Sequence, residues 1–464
     1  KNDGELWCCC PCLYDATLER MYSAETGYEE VHPRKLTPYQ LRKHGRTGIS
    51  SYIMSDTLAK RADQRGQPGD IIRAWRHLCK AKGWQRFGAF KAKSGFNIPY
   101  VLFKAKNVLD PATRAAKWHK ARPISPATRH PMRTMLGKAG RAWYFLAHNF
   151  PGERFHIPNT GDIPTFLRQA VRRVRGSDKA DIRVFDIEGC FPSMPKDAIR
   201  IAMRDLAARF RTLGYSGVFI PQARTKRCSW QAPRPHSRGT WMTFAELIDI
   251  LEFSLDNTLI RMPDGRLLKQ VLGIPMGDPL SPGMCIGTCA WMEAEWLAGM
   301  RASTKHFFKA ARYMDDILMI MASPRYWDQE RFLRDFTASE CYWAPLKLEP
   351  CDGDVFLETE FSQTMSGRVR CRLKNVNSDT TRVWRYHDYR SHLDYATKRA
   401  VLLSTLRKVD RMCSDESMRL ESAVTKCKEF LRLGYPEGII RYMCALVARD
   451  TRHVQWLAVR RHLS

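Results

Sequence analysis

No run of about eighteen consecutive apolar residues occurs in the 464 residues, so no membrane-spanning helix is expected. No signal peptide stands at the start. Internal repeats and low-complexity tracts are missing too, which excludes a repeat architecture. Acidic side chains are comparatively scarce: 48 Asp+Glu stand against 76 Lys+Arg, a net charge of +28. The excess is spread over most of the chain, so a large polyanion is the natural partner, with nucleic acid ahead of an anionic membrane. The fifteen cysteines mostly stand singly among apolar residues, as in a reducing, intracellular setting, nuclear or cytoplasmic. The exception is Cys8, Cys9, Cys10 and Cys12. With a distant His32 they could hold zinc, but their spacing fits no standard pattern and the balance is against it. The chain opens on Lys1 rather than Met, as a fragment or a processed product would. With 44% hydrophobic and 27% charged residues it reads as globular, in about two to four units.

What is there centres on Arg312-Tyr313-Met314-Asp315-Asp316. Apolar runs flank it, Phe307-Phe308 before and Ile317-Leu318-Met319-Ile320-Met321 after, which predicts two strands joined by a tight turn. A buried hairpin has no structural use for two neighbouring anions, because burying unpaired charge is costly. Mg²⁺ would remove that cost, since it favours carboxylate oxygens and leaves room for substrate phosphates. Taken alone, the pair is more simply a solvated turn.

Other stretches supply the context. Asp181–Phe185 reads as a strand running into Asp186-Ile187-Glu188-Gly189-Cys190-Phe191, a carboxylate at a strand end before a Gly-containing turn. That is what a metal site needs, and also what a surface turn looks like. Pro99–Lys104 and Trp118–Ile124 are strand candidates that would bring Lys104 and Arg122 together, a pair able to grip a triphosphate or simply a solvated basic face. Gly273–Pro282 is a Gly/Pro-rich loop entering a helix, Gly283–Leu297. Asp186 and Asp315 are 129 positions apart (315 − 186), each at a predicted strand end. On adjacent strands they would hold two metal ions about 3.5–4 Å apart, with Asp316 as the less certain member. Residues 214–240 read as an irregular basic insertion, and Leu393–Met412, Ser417–Leu433 and Glu437–Val447 as basic helices suited to clamping a duplex.

This ordered set resembles the reverse transcriptase superfamily over roughly residues 95–361. Lys104 and Arg122-Pro123-Ile124 look like its finger motifs. Asp186 through Phe191, Gly273 through Pro282, and Tyr313 through Asp316 look like three palm motifs. Lys347 and Phe356-Leu357 are similar to the later palm and primer-grip motifs. The resemblance implies an α+β right-hand polymerase with fingers, a palm of antiparallel sheet with helices, and a helical thumb. The expected divisions are an N-terminal extension 1–84, fingers 85–180, palm 181–360 and thumb 361–464.

By the same resemblance Asp186, Asp315 and Asp316 would be catalytic and metal-binding, with Mg²⁺ or alternatively Mn²⁺. Lys104, Arg122, Phe191, Gly277 and Lys347 would bind the nucleotide, Phe191 as a steric gate against a 2′-hydroxyl, and Phe356 and Leu357 would form the primer grip. The implied partners are an RNA template, a DNA or RNA primer and dNTPs, with a partner protein or nuclease acting in trans. The implied activity is RNA-directed DNA polymerisation. RNA-directed RNA synthesis and an inactive RNA-binding scaffold are the alternatives. Met276 through Pro282 is similar to Penelope-like elements, relatives of telomerase. Two departures stand out: Asp278 replaces a small residue, placing an anion near the nucleotide, and no GIY-YIG endonuclease follows the thumb-like region.

Overall fold

The computed structural model describes residues 10–35, 37, 39–40, 53–61, 65–103, 121–173, 180–232, 237–322, 327–351, 353–364, 369–374 and 386–463. In chain order the strands are β1 (Tyr28–Pro33), β2 (Ile53–Ser55), β3 (Tyr100–Phe103), β4 (Ala121–Ile124), β5 (Ala180–Ile187), β6 (Gly217–Pro221), β7 (Gly239–Thr243), β8 (Leu259–Arg261), β9 (Leu267–Gln270), β10 (Phe308–Tyr313), β11 (Asp316–Ala322), β12 (Leu348–Cys351), β13 (Val355–Phe356), β14 (Thr359–Gln363) and β15 (Val369–Leu373). The central sheet has the order β10-β11-β5-β12 and is antiparallel throughout.

Within that sheet β11 is buried on both faces, which is why Ile317–Met321 is a continuous apolar run rather than an alternating one. Successive side chains of a strand point to opposite faces. Phe185, Ile187, Ile317, Met319 and Met321 join a first core, built with the helices Pro68–Ala81, Arg133–His148, Lys196–Thr212, Phe244–Asp256 and Ser281–Gly299. Val184, Leu318 and Ile320 join a second core, built with Ile163–Arg173, the sheet β13-β14-β15 and the C-terminal helices Tyr395–Met412, Glu416–Arg432 and Glu437–Thr451. A third, smaller core joins the helix Pro11–Met21 to β1, β3, β8 and β9.

Local sequence explains the element ends. Thr243 caps Phe244–Asp256 in a reciprocal box: its Oγ1 accepts from Glu246 N at 3.3 Å, and Glu246 Oε2 accepts from Thr243 N at 3.0 Å. Asp394 and Asp415 cap the first two C-terminal helices by accepting from Thr397 N and Met418 N. Ser281–Gly299 is apolar nearly all round and accordingly lies inside the first core. None of the described helices is long and apolar enough to cross a membrane.

Two departures from the sequence reading have physical causes. The stretch expected to be irregular, 214–240, contains β6 and the first two residues of β7, and the two strands pair from Gly217–Thr243 to Pro221–Gly239. Every residue of β6 is buried, so its five-residue run Gly-Val-Phe-Ile-Pro is a core strand inside a basic surround. The N-terminal extension does not stand apart either. β1 pairs with β9 in the four-stranded sheet β2-β1-β9-β8, a partnership about 240 residues distant that no local signal announces.

Candidate active site

The register of the central sheet sets the acidic groups. Asp186, near the end of β5, stands directly opposite Asp316, the first residue of β11. Directly opposed residues share a face, with Cβ atoms about 4.5–5.5 Å apart, and like charges so placed repel. Both fall in the alternation of Val184, Leu318 and Ile320, so both project from the face that carries the second core. Tyr313 pairs with Asp316, which leaves Met314 and Asp315 as a two-residue turn. Ile187 N donates to Asp315 O at 3.0 Å, which ties the turn to the end of β5.

The donor set is all carboxylate, which suits hard cations such as Mg²⁺ or Mn²⁺. The three aspartates do not form a closed ligand set. Among the described residues, two other groups of three have donor atoms within 4.8 Å of one another, and these carboxylates are in neither. Backbone pairing thus brings them together while their oxygens stand further apart.

Met314 has φ 59°, a positive value at the first central position, as primed hairpin turns require. For a residue other than glycine this is strained by about 1–3 kcal/mol and needs support from its surroundings. The support is a buried ion pair. Arg312 and Glu293 are both 0% exposed and bond to each other through Arg312 Nε. Arg312 Nη1 donates to Met314 O at 2.8 Å. Glu293 also accepts from Tyr342 Oη and from Phe155 N, each at 2.9 Å. Burial pushes the Glu293 carboxyl up, opposed by the Arg312 charge. Sequence reasoning gave these residues no role. The signal was present: Glu293 and Glu295 are the two charged residues of an otherwise uncharged helix, and Arg312 stands near the end of a strand.

The Gly273–Pro282 loop closes the site from another side. Ile274 N donates to Phe191 O at 2.8 Å, and Ser125 N donates to Met276 O at 2.7 Å, with Ile124 bridging Met276. The loop therefore touches both the turn after Asp186 and the end of β4. Only glycine fits at 273: φ is +76°, and a Cβ would lie 2.2 Å from Pro192 O. At exposed Gly277, φ is +112° and a Cβ would meet Pro126 Cα at 3.1 Å.

Asp278 departs from its expected place beside the nucleotide. Its side chain is buried, Oδ1 accepts from Leu280 N at 2.8 Å, and it lines a polar cavity of about 20 Å³ with Asn97, Ser125, His130 and Gln270. Burial pushes its carboxyl up to about 6 and pushes His130 down to about 4.

The remaining predicted residues fall as follows. Arg122 is half-buried on β4, opposite Leu102 of β3, while Lys104 lies outside the described residues. Phe191 is half-buried and packs against the first core. Lys347 is exposed, and its carbonyl accepts from Glu188 N at 2.9 Å, at the Asp186 end of the sheet. Phe356 is 0% exposed in the second core, so its ring is packing there; Leu357 turns the β13–β14 hairpin with φ 58°. Cys8 and Cys9 lie outside the described residues, and Cys10 and Cys12 are exposed. His32 instead bonds Asp56, with Nε2 to Oδ1 at 2.9 Å.

No protein-family model and no curated protein matches the sequence. Among solved structures the chain is similar to Candida albicans telomerase in complex with a TWJ fragment of telomeric RNA. The TM-score is 0.52 at 10% identity, covering 88% of this chain and 66% of that one. Apo telomerase from Candida tropicalis gives a TM-score of 0.44 at 12% identity, covering 94% and 69%. The sicinivirus 3Dpol RNA-dependent RNA polymerase gives 0.42 at 13%, covering 98% and 87%. The chain thus spans just under two thirds of the Candida albicans chain's length. The likeness to that telomerase is one of fold: this protein has the expected α+β right-hand polymerase architecture.

Proposed function

We propose that this protein is an RNA-directed DNA polymerase, which extends a primer 3′-hydroxyl with dNTPs on an RNA template. The observation that carries the reading is the register that sets Asp186 opposite Asp316, with Asp315 in the adjoining turn. Residues 85–180 act as fingers, 181–360 as palm and 361–464 as thumb, and the net charge of +28 serves phosphate backbones. Divalent cations held by Asp186, Asp315 and Asp316 would supply Lewis-acid stabilisation of the phosphoryl charge and a more acidic primer hydroxyl.

The chain's own residues do the positioning, on which phosphoryl transfer chiefly depends. Arg122 offers a planar fork to the triphosphate oxygens, with Lys104 and Lys347 as further cations. The Phe191 ring, in the turn that follows Asp186, would stack under the sugar and exclude a 2′-hydroxyl, which favours deoxyribose. Gly277, with no side chain, lets the nucleotide and template base approach the loop backbone. Arg312 keeps Asp315 in place by holding Met314 O.

The test is primer extension on RNA templates with DNA or RNA primers, in Mg²⁺ or Mn²⁺, comparing the parent with Asp315→Asn. The parent should add dNTPs, and the variant should lose at least about a hundredfold in rate, as removal of a key electrostatic group does. Equal rates, no extension by the parent on any template, or a parent that prefers rNTPs would each overturn the assignment.

A further inference from the structure

Three thiols meet inside the first core. Cys190 opens the one-turn helix Cys190–Ser193 after β5, and Cys285 and Cys289 stand one turn apart on Ser281–Gly299. Their exposures are 2%, 0% and 0%. All three Sγ atoms lie within 4.8 Å of one another, and those of Cys190 and Cys285 are 3.4 Å apart. Filling space needs no such convergence, because a buried thiol behaves as a small hydrophobe and packs against carbon as readily as against sulfur. Cys427 and Cys444, by comparison, meet as a pair at 3.7 Å.

We propose that Cys190, Cys285 and Cys289 form a three-thiolate site for a soft d10 metal ion, Cu(I) or Zn(II). Thiolate sulfur selects such ions over Mg²⁺ or Ca²⁺. Metal–sulfur bonds of about 2.3 Å around a three-coordinate centre put neighbouring sulfurs ~4 Å apart, inside the observed spread. The i, i+4 spacing of Cys285 and Cys289 puts both on one helix face, and Cys190 closes the triangle from the facing turn. Arg312 acts on the charge of both Cys285 and Cys289 and offsets part of the thiolate charge. The bound ion fastens the turn that carries Phe191 to the helix that carries Glu293, and its binding energy adds to folding.

The experiment uses the full chain, purified reduced and stripped of metal, and titrated anaerobically with Zn(II), with Cd(II) as a spectroscopic analogue, or with Cu(I). One equivalent per chain should bind, with sulfur-to-metal charge-transfer absorbance for Cd(II) and Cu(I). The tighter of the Zn(II) and Cu(I) arms identifies the ion. Cys285→Ala and Cys289→Ala should each weaken binding at least about a hundredfold, more than the loss of a supporting group does. A double Cys10→Ser/Cys12→Ser variant should bind as the parent does. X-ray absorption at the metal edge of the loaded parent needs no variant, and should show three sulfur neighbours with no nitrogen or oxygen. Absence of a stoichiometric ion, retention in both alanine variants, loss in the Cys10/Cys12 variant, or a Cys190–Cys285 disulfide in place of the ion would each overturn the proposal.

Discussion

Asp278→Asn isolates the cost of one buried charge. The carboxyl is held up at about 6 by burial, with the Leu280 amide as its described hydrogen-bond donor. An aspartate carboxyl ordinarily titrates near 3.8, so the fold disfavours the ionised form by ~3 kcal/mol. The folded value exceeds the unfolded one, so the folded state binds the proton more tightly. Stability is therefore fully present below about pH 4, falls as pH rises towards about 6, and levels off above. His130 in the same cavity is pushed down to about 4 and stays neutral over most of that window. Asparagine keeps the shape and the oxygen that accepts from Leu280 N. Its new amide can donate to Asn97 Oδ1, which is buried without a partner among the described residues and lines the same cavity. Urea unfolding followed by tryptophan fluorescence should show the variant more stable by ~3 kcal/mol near pH 7.5 and equal to the parent near pH 4. A variant whose advantage does not grow with pH, or one less stable than the parent at both values, would refute the reasoning.

Arg312→Leu strands the Glu293 charge in the core and should cost about 3–5 kcal/mol in urea unfolding. Adding Glu293→Gln should restore part of that stability without restoring primer extension, because Met314 O still lacks its donor; full recovery of extension would show that the pair is only structural. Phe191→Ala should lower the dNTP-over-rNTP ratio of kcat/KM at least about tenfold, ~1.4 kcal/mol, and an unchanged ratio would remove the gate. Asp415 is held below the usual carboxylate range, first by Arg370, whose Nε and Nη2 each donate at 2.7 Å. Its contribution, about 1 kcal/mol for a partly exposed pair, is present above about pH 4 and lost as pH falls through the lowered value. Asp415→Asn should therefore be less stable than the parent at neutral pH and indistinguishable from it in strong acid, as denaturation at both pH values would show.

The parts of the structure that were readable from sequence are those set by short-range pattern. The β10–β11 hairpin follows from two apolar runs around a turn, and the helices from 3.6-residue periodicity, with Ser281–Gly299 apolar nearly all round. The pairing of β5 with β11 came from the order of motifs rather than from periodicity, since nothing local says which strands will be neighbours. Where the reading ran out, a polar group's partner lay far along the chain. Glu293 finds Phe155 138 positions away, and Asp278 turns into a cavity lined by Asn97 and His130. The strand Gly217–Pro221 was hidden because its five buried residues open a stretch rich in Arg, Lys and Pro with little periodicity of its own. Cys190 and Cys285 are 95 positions apart, so no spacing rule pairs them.

The two-sided burial of β5 and β11 has a mechanical consequence. Alternate residues of the same two strands are claimed by opposite halves of the molecule, so neither half can loosen without straining the ribbon between them. Asp186 and Asp316 ride at the end of that ribbon, and under the proposed function whatever shifts as a template advances would swing about them while they stay put.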